Sequence, residues 1–342
     1  MTKKTIADLG EVKVIEIIEK EISIIDHIKI REDDAFFFDL TSEIKPQNGE
    51  NFQLVSNTDM LVSTTDVPEG MTNYQIGRKA VLMNISDLIV KGVHPKGMLI
   101  SLGVPGIFFV SDFRDLIKGV INYGKEWKIK YLGGDLNETN ELILNPTVFG
   151  IKEKDTIIHR NGMSGGDFVC TNGKFGLTGV GFDILLHKKP LQKYLPQYKK
   201  SINSVLNNHN LSKEAFILAD QKLVTASIDS SDGLAKSLQD LMRVNPGLGF
   251  EIQFCENLIA EEASKYAKEV QVSLEKLIFN AGEEFIHLFT IPPNLFKKAQ
   301  TAIEKSGGNL FKIGEVISED KILIRKENDT YELKKGGFEH FI

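Results

Sequence analysis

A chain of 342 residues is longer than one hydrophobic core usually organises, so two domains are expected. Hydrophobic residues at 42% and charged residues at 26% exclude a disordered or fibrous chain. The balance of 47 acidic residues against 41 Lys and Arg, net −6, leaves no broad basic face for a nucleic-acid backbone.

Val14, Ile17, Ile18 and Ile22 recur at helical spacing, with Thr5 and Asp8 upstream as capping candidates. Short strands are expected over Ala35 to Leu40 and Phe52 to Val55, the second running into Asn57, Thr58 and Asp59. A helix from about Tyr74 to Lys91 carries Ile76, Ala80, Met83 and then Asp87 on its apolar stripe, and Gly92 ends it. A strand at Met98 to Leu102 precedes a helix with Ser111 as N-cap and Phe113, Leu116, Ile117, Val120, Gly124 and Trp127 on one face. Lys130 to Leu132 then enters Gly133, Gly134 and Asp135, and Leu142 to Ile151 reads as a further strand.

The pattern restarts beyond Lys152, which places the domain boundary there: residues 1–151, then 152–342. Short strands are expected around Ile157 and Val169, with a polar stretch from Lys188 to Asn210. Ala226 to Ile228 turns through Asp229, Ser230, Ser231, Asp232 and Gly233 into a helix bearing Leu234, Leu238, Leu241 and Met242, and a hairpin is expected around Asn328 and Asp329. Cys170 and Cys255 have no CxxC spacing, which argues against a disulfide framework and for a reducing compartment. The most apolar stretch, Gly97 to Val110, is too short to span a bilayer, and the charged N-terminal stretch lacks a signal-peptide pattern, so the expected location is the cytoplasm.

No GxxxxGK[ST] occurs, so phosphate handling by a P-loop is excluded. Acidic residues stand instead at element ends or on apolar faces. Asp87 is the most informative, because an inward carboxylate must be paired, hydrogen-bonded or metal-bound. A backbone hydrogen bond or a distant Arg would also satisfy it. Taken alone, Asp33-Asp34 reads more as a solvated turn than as a ligand pair, Thr58-Asp59 as the start of a turn, and Gly133-Gly134-Asp135 equally as a turn or a phosphate approach. The run Asp229 to Gly233 gathers two carboxylates, two hydroxyls and helix N–H groups in five residues, more than an N-cap needs. Dispersed single aspartates suit magnesium, which takes a few carboxylate oxygens beside water and phosphate oxygens. Phosphoryl transfer needs positioning and charge neutralisation more than a covalent nucleophile. Arg160, beside a Gly-rich passage, offers itself to a nucleotide phosphate.

In order, Asp33-Asp34-Ala35, Thr58 to Val62, GRKAVLMNISDLIVKGVHP from Gly77, LGGD from Leu132, Ile228 to Leu234, AGEEF from Ala281 and GGFEHF from Gly336 resemble thiamine-monophosphate kinases. These belong to the superfamily that also holds aminoimidazole ribonucleotide synthetase and selenophosphate synthetase. The resemblance implies a two-domain α/β (α+β) PurM-like fold, with the N-terminal domain giving a sheet to a dimeric barrel, and a homodimer. It implies ATP and several Mg2+ ions in the cleft, and direct transfer to thiamine monophosphate. By matching motifs, Asp34, Thr58, Asp59, Asp87, Asp135, Asp229 and Asp232 would serve the metal ions, with Asp87, Asp229 and Asp232 at the reacting centre. Gly134, Asp135, Arg160 and Ser231 would bind nucleotide, and Asp66, Asp232, Glu283 and Phe338 would lie at the thiamine side.

Three positions depart from the family pattern: Glu32 replaces a common Gly, Asp66 replaces a common His, and Ile117 stands where some members place an aromatic near adenine. A selenophosphate synthetase is disfavoured by the lack of any Cys before Cys170, and an aminoimidazole ribonucleotide synthetase by the tail from Gly336 to Phe341. An inactive nucleotide-binding relative is the alternative of a different class.

Overall fold

The computed structural model describes Lys13, Glu16 and residues 33–40, 51–187, 193–194, 196–208, 211–327, 329–334 and 336–338. The first expected helix, its capping candidates Thr5 and Asp8, Glu32, and the last residues of the GGFEHF tail lie outside the described residues.

Six strands form the first sheet: β1 (Phe36–Asp39), β2 (Phe52–Thr58), β3 (Leu61–Val62), β4 (Gly97–Val104), β5 (Lys130–Glu138) and β6 (Ile143–Glu153). Their order is β1-β2-β6-β4-β5 with β3 beside β6, and only the β4–β5 pair is parallel. Met98, Ile100 and Leu102 of β4 turn toward the helices and are buried. The cross-strand registers place Phe36, Phe38, Leu99 and Ile151 on the opposite, uncovered face, where all four are exposed.

The helical layer holds α1 (Ser63–Asp66), α2 (Asn73–Val90) and α3 (Val110–Glu126). Helix α2 begins with a capping box in which Thr72 Oγ1 accepts from Gln75 N while the Gln75 side chain accepts from Thr72 N. It ends at Gly92, whose φ of +75° is the left-handed conformation that glycine adopts freely. A Cβ at Gly77 would stand 2.1 Å from the Leu116 carbonyl oxygen, and one at Gly119 would stand 2.0 Å from that of Tyr74, so these two glycines set the close approach of α2 and α3. Helix α3 starts one residue before the expected Ser111, with Phe109 at the cap and no side-chain bond there.

Beyond a 3-10 turn at Lys154–Thr156, where a strand around Ile157 was expected, the second half adds β7 (Phe168–Thr171), α4 (Leu177–His187), α5 (Lys199–Leu206), α6 (Glu214–Asp220), β8 (Ala226–Asp229) and α7 (Leu234–Val244). Then follow β9 (Gly249–Gln253), α8 (Glu261–Val270), α9 (Leu274–Phe279), β10 (His287–Ile291), α10 (Pro293–Lys305), β11 (Phe311–Ile317), β12 (Ile322–Lys326) and β13 (Asp329–Glu332). The polar stretch after Lys188 thus contains a helix. The second sheet runs β13-β12-β9-β11-β7-β10-β8, and β12–β13 is the expected hairpin.

Strand β10 is buried on both faces, with Ile286 and Leu288 in one core and Phe285, Phe289 and Ile291 in the other. Helix α2 is the element between the sheets, in contact with β2 and β6 on one side and β8 on the other. That position explains why even its Arg78, Lys79, Asn84, Ser86 and Asp87 are buried, so the amphipathic stripe seen in the sequence understates its burial. Among the described residues no helix is long and apolar enough to cross a membrane.

Candidate active site

Three carboxylates converge where the two sheets meet α2. Asp34 comes from the residue pair before β1, Asp87 from the last turn of α2, and Asp229 from the end of β8. One oxygen of each lies within 4.8 Å of the others, and all three residues are buried. Asp59, just beyond β2, joins them through Asn57, whose Nδ2 donates to Asp87 Oδ2 at 2.5 Å and to Asp59 Oδ2 at 3.2 Å. Asn84, one turn before Asp87, accepts from Asp59 N at 2.7 Å and donates to Asp59 O at 3.0 Å, pinning that loop to the helix. Ser86 Oγ donates to Asp229 Oδ2, joining α2 to β8.

The surrounding charges hold some of these groups ionised and leave others strained. Burial pushes the Asp33 carboxyl up, but the Lys91 ammonium and the bond to His159 outweigh it and hold Asp33 far below the usual carboxylate range. Lys91 is fully buried, 2.7 Å from Asp33 Oδ1, ion-paired with Asp34, and donates to Ser227 O at 2.8 Å. Arg160 places Nε 2.8 Å from Asp34 Oδ1 with a second nitrogen on the same oxygen. Among the described residues, neither Asp87 nor Asp229 forms an ion pair. Burial, then the neighbouring Asp229, Asp59 and Asp34 charges, raise Asp87 well above its ordinary range. Burial and the Asp34 charge raise Asp229 to about 7, against the opposing Ser86 bond and Arg160 charge. Burial also raises Asp59, despite bonds from Asp87 and Asn57.

An all-oxygen carboxylate set, inward-facing and electrostatically short of positive charge, fits a hard divalent cation such as Mg2+. The buried Ser230 Oγ has no hydrogen-bond partner among the described residues and adds a further oxygen in the same turn.

The turn after β8 is the meeting point of the three C-terminal motifs. Glu283 N donates to Ser231 O, and Phe285 N to Ser230 O at 2.9 Å, which lays the AGEEF loop along the turn. Phe338 N donates to Asp232 O at 3.0 Å, bringing the tail to the same place, with the Phe338 ring half exposed. Glu283 reaches α2, where Lys79 Nζ lies 2.5 Å from Glu283 Oε1 and 2.5 Å from the Asp66 carbonyl. The Asp66 carboxylate is turned to its own backbone and accepts from Val62 N at 2.6 Å. Glu284, adjacent in sequence, faces away and accepts from Gly176 N and Thr178 N at the start of α4, a favourable seat for a negative charge.

Two predicted residues stand elsewhere. Asp135 is paired in register with Ser101, and Thr58 with Thr147, on the uncovered face of the first sheet; Asp135 is exposed, and Thr58 Oγ1 bonds Asn145 and the Pro146 carbonyl. Both were expected in turns, but β2 continues to Thr58 and β5 carries Gly133, Gly134 and Asp135 inside the strand. Gly134 is required by its neighbour: a Cβ would stand 1.8 Å from the Ile100 carbonyl oxygen. Ser231 is exposed at the turn and Asp232 half-buried. Ile117 packs against the first core.

Sequence reasoning missed Lys91, Asn57, Ser86 and Lys79 as parts of the site. A Lys at a helix C-terminus ordinarily complements the helix dipole in water, and nothing local links it to Asp33 and Asp34. Asn57 did carry a signal, one strand position before the Thr58-Asp59 motif.

The family model "AIR synthase related protein, N-terminal domain" matches residues 32–152. A thiamine-monophosphate kinase of Nitrosopumilus maritimus is 31% identical over 84% of this chain and 89% of its own length. One of Methanocaldococcus jannaschii is 29% identical over 97% and 99%. The solved structure "AaThiL complexed with AMPPCP and TMP" superposes with a TM-score of 0.81 at 23% identity, covering 99% of this chain and all of that one, a likeness of fold. With 31% identity to the first of these over 84% of this chain and 89% of that relative, the chain belongs to the thiamine-monophosphate kinase family.

Proposed function

We propose that the chain transfers the γ-phosphoryl group of ATP directly, in line, to the phosphate of thiamine monophosphate, giving thiamine diphosphate and ADP in a site that holds several Mg2+ ions. The observation that carries this reading is the convergence of Asp34, Asp87 and Asp229 from three distant segments onto one buried point. Bound there, Mg2+ supplies charge neutralisation for the phosphate oxygens of both substrates.

Asp34, Asp59, Asp87 and Asp229 would hold the ions, with Asp232 at the open end of the turn. Lys91 and Arg160 fix Asp34, and Asn57, Asn84 and Ser86 fix the other three, so the donor oxygens are set before substrate arrives. Ser231, exposed in the turn, would face the nucleotide. Glu283 and Phe338 flank the thiamine side, where a carboxylate and a half-exposed ring suit a cationic thiazolium. Asp66 keeps its carboxylate on Val62, so it shapes this side through its carbonyl. An acceptor that is already a phosphate needs no strong general base.

Thr58 and Asp135 lie on the uncovered sheet face beside the exposed Phe36, Phe38, Leu99 and Ile151. We assign that face to a homodimer in which two sheets close into a barrel, with Gly134 and Asp135 serving nucleotide and metal at its edge. We further propose a boundary between two domains at 151/152, near the C-terminal end of β6, and a cytoplasmic compartment. The test is ADP release in a coupled assay with ATP, Mg2+ and thiamine monophosphate. Release that needs all three supports the reading, and ATP binding without acceptor-dependent ADP contradicts it.

A further inference from the structure

Lys79 is a buried lysine that no part of the proposed transfer uses. Its side chain is 7% exposed, and it lies on α2 two turns before Asp87, on the thiamine side of the carboxylate cluster. Its ammonium bridges two groups that the chain supplies from far apart: Glu283 Oε1 in the AGEEF loop, and the carbonyl of Asp66 at the end of α1, each at 2.5 Å. The Glu283 side chain keeps 24% of its surface exposed while its Oε1 is held by Lys79. The pair itself lines a small cavity together with Gln75, Arg78, Leu82, Val205, Asn208 and Phe285.

We infer that Lys79 is a positioning residue that sets thiamine-phosphate affinity: it aims the Glu283 carboxylate at the cationic ring of the acceptor and clasps the AGEEF loop to α1. This rests on the reading of Glu283 as a thiamine-side residue.

The physical case begins with Glu283 itself. Its backbone stands at φ +59°, a conformation that a non-glycine residue holds only when its surroundings fix it, and Glu283 N is bonded to Ser231 O. Asn208 Nδ2 donates to Glu283 O at 2.8 Å, so the backbone is anchored on both sides. Among the described residues, the side chain is anchored by Lys79 alone. Burial pushes the Glu283 carboxyl up, the Lys79 charge and hydrogen bond pull it back, and the Asp66 charge adds to the rise. Arg78, the other cation lining the cavity, lies over the Tyr123 ring, 4.2 Å from its centroid. Removing the Lys79 ammonium therefore takes away the side-chain contact that aims this carboxylate, and with it the charge that opposes the upward push of burial on its pKa. Arginine in its place keeps the charge.

The experiment measures KM for thiamine monophosphate and kcat from pH 6.5 to 9 for wild type, Lys79→Met, Lys79→Arg, Glu283→Gln and the Lys79→Met/Glu283→Gln double variant. At pH 6.5 the Lys79→Met variant is expected to raise KM about tenfold or more with kcat within about threefold. The ratio of its KM to the wild-type value is expected to fall as pH rises, because the Lys79 charge and hydrogen bond are what oppose the upward push of burial on the Glu283 carboxyl. Taking the ratio removes the titration of the substrate's own phosphate. Lys79→Arg is expected to recover most of the affinity, and the double variant to match Glu283→Gln alone. A ratio that stays constant with pH, a loss confined to kcat, or additive losses in the double variant would overturn the inference. If Lys79→Met does not fold, the pH profile of Lys79→Arg against Glu283→Gln decides it, with equal KM defects counting against the inference. A wild-type enzyme that ignores thiamine monophosphate would instead fail the functional reading.

Discussion

Replacing Lys91 by Met tests how the carboxylate cluster is held. The ammonium is fully buried, 2.7 Å from Asp33 Oδ1, also paired with Asp34, and bonded to Ser227 O at 2.8 Å. At an effective dielectric of about 20, unit charges 2.7 Å apart attract by roughly 6 kcal/mol, most of which offsets the desolvation of the ions. Removing only the cation leaves Asp34 with Arg160 and Asp33 with His159 as their remaining side-chain partners in the interior, and breaking such a buried pair costs about 3–5 kcal/mol. At roughly 2–4 °C per kcal/mol for chains of this order, the metal-free protein should melt on the order of 10 °C lower. The Lys91→Met/Asp33→Asn variant should recover part of that loss, because it removes one of the two carboxylate charges. The assay is thermal unfolding of the three proteins in a chelating buffer. A single variant within about 1 kcal/mol of wild type would show that the bonds from Arg160 and His159 suffice to hold the pair, and would refute the role given to Lys91.

Asp87→Asn should lower kcat/KM by on the order of a hundredfold or more, while the metal-free protein melts no lower than wild type, because the amide relieves repulsion from Asp229 and Asp59. A lower metal-free Tm with activity kept would return Asp87 to a structural role. His287 is fully buried and neither ring nitrogen has a hydrogen-bond partner among the described residues; burial, then the Lys91 charge, lowers its pKa to about 3. The unfolded side chain takes a proton near pH 6.5, so the folded state binds fewer protons below that and loses stability as pH falls. The loss from this residue between pH 7 and pH 5 is about 2 kcal/mol. His287→Leu should therefore gain about that much on wild type over the same interval in chemical denaturation, and a constant difference would count against it. Gly77→Ala should destabilise by about 1–3 kcal/mol, since its Cβ meets the Leu116 carbonyl oxygen at 2.1 Å; an unchanged Tm would contradict the close packing of α2 on α3.

The parts of the site that could be read from the sequence are those whose signal is local. Asp87 announces itself because helical periodicity carries it inward, and the Asp229 to Gly233 turn because five residues hold more ligands than a cap requires. Thr58 and Asp135 were less legible, because their side-chain direction depends on how far β2 and β5 extend, and one residue of register moves a side chain to the other face. Lys91 and Lys79 were missed for a further reason. Each acts through partners more than fifty residues away in one direction or the other, Asp33 and Asp34 for the first and Glu283 for the second, and only the packed structure brings them together. The second half was under-read where a helix hides in the polar segment around Lys199 to Leu206, since short helices with few large apolar residues leave little periodicity.

Transfer of radiolabel from the γ-phosphorus of ATP to thiamine monophosphate is the most direct test of the account. In the presence of Mg2+, the label should appear in thiamine diphosphate in step with ADP, and both should vanish with a chelator or with Asp87→Asn. Label found in inorganic phosphate or on the protein, with thiamine monophosphate unchanged, would contradict it.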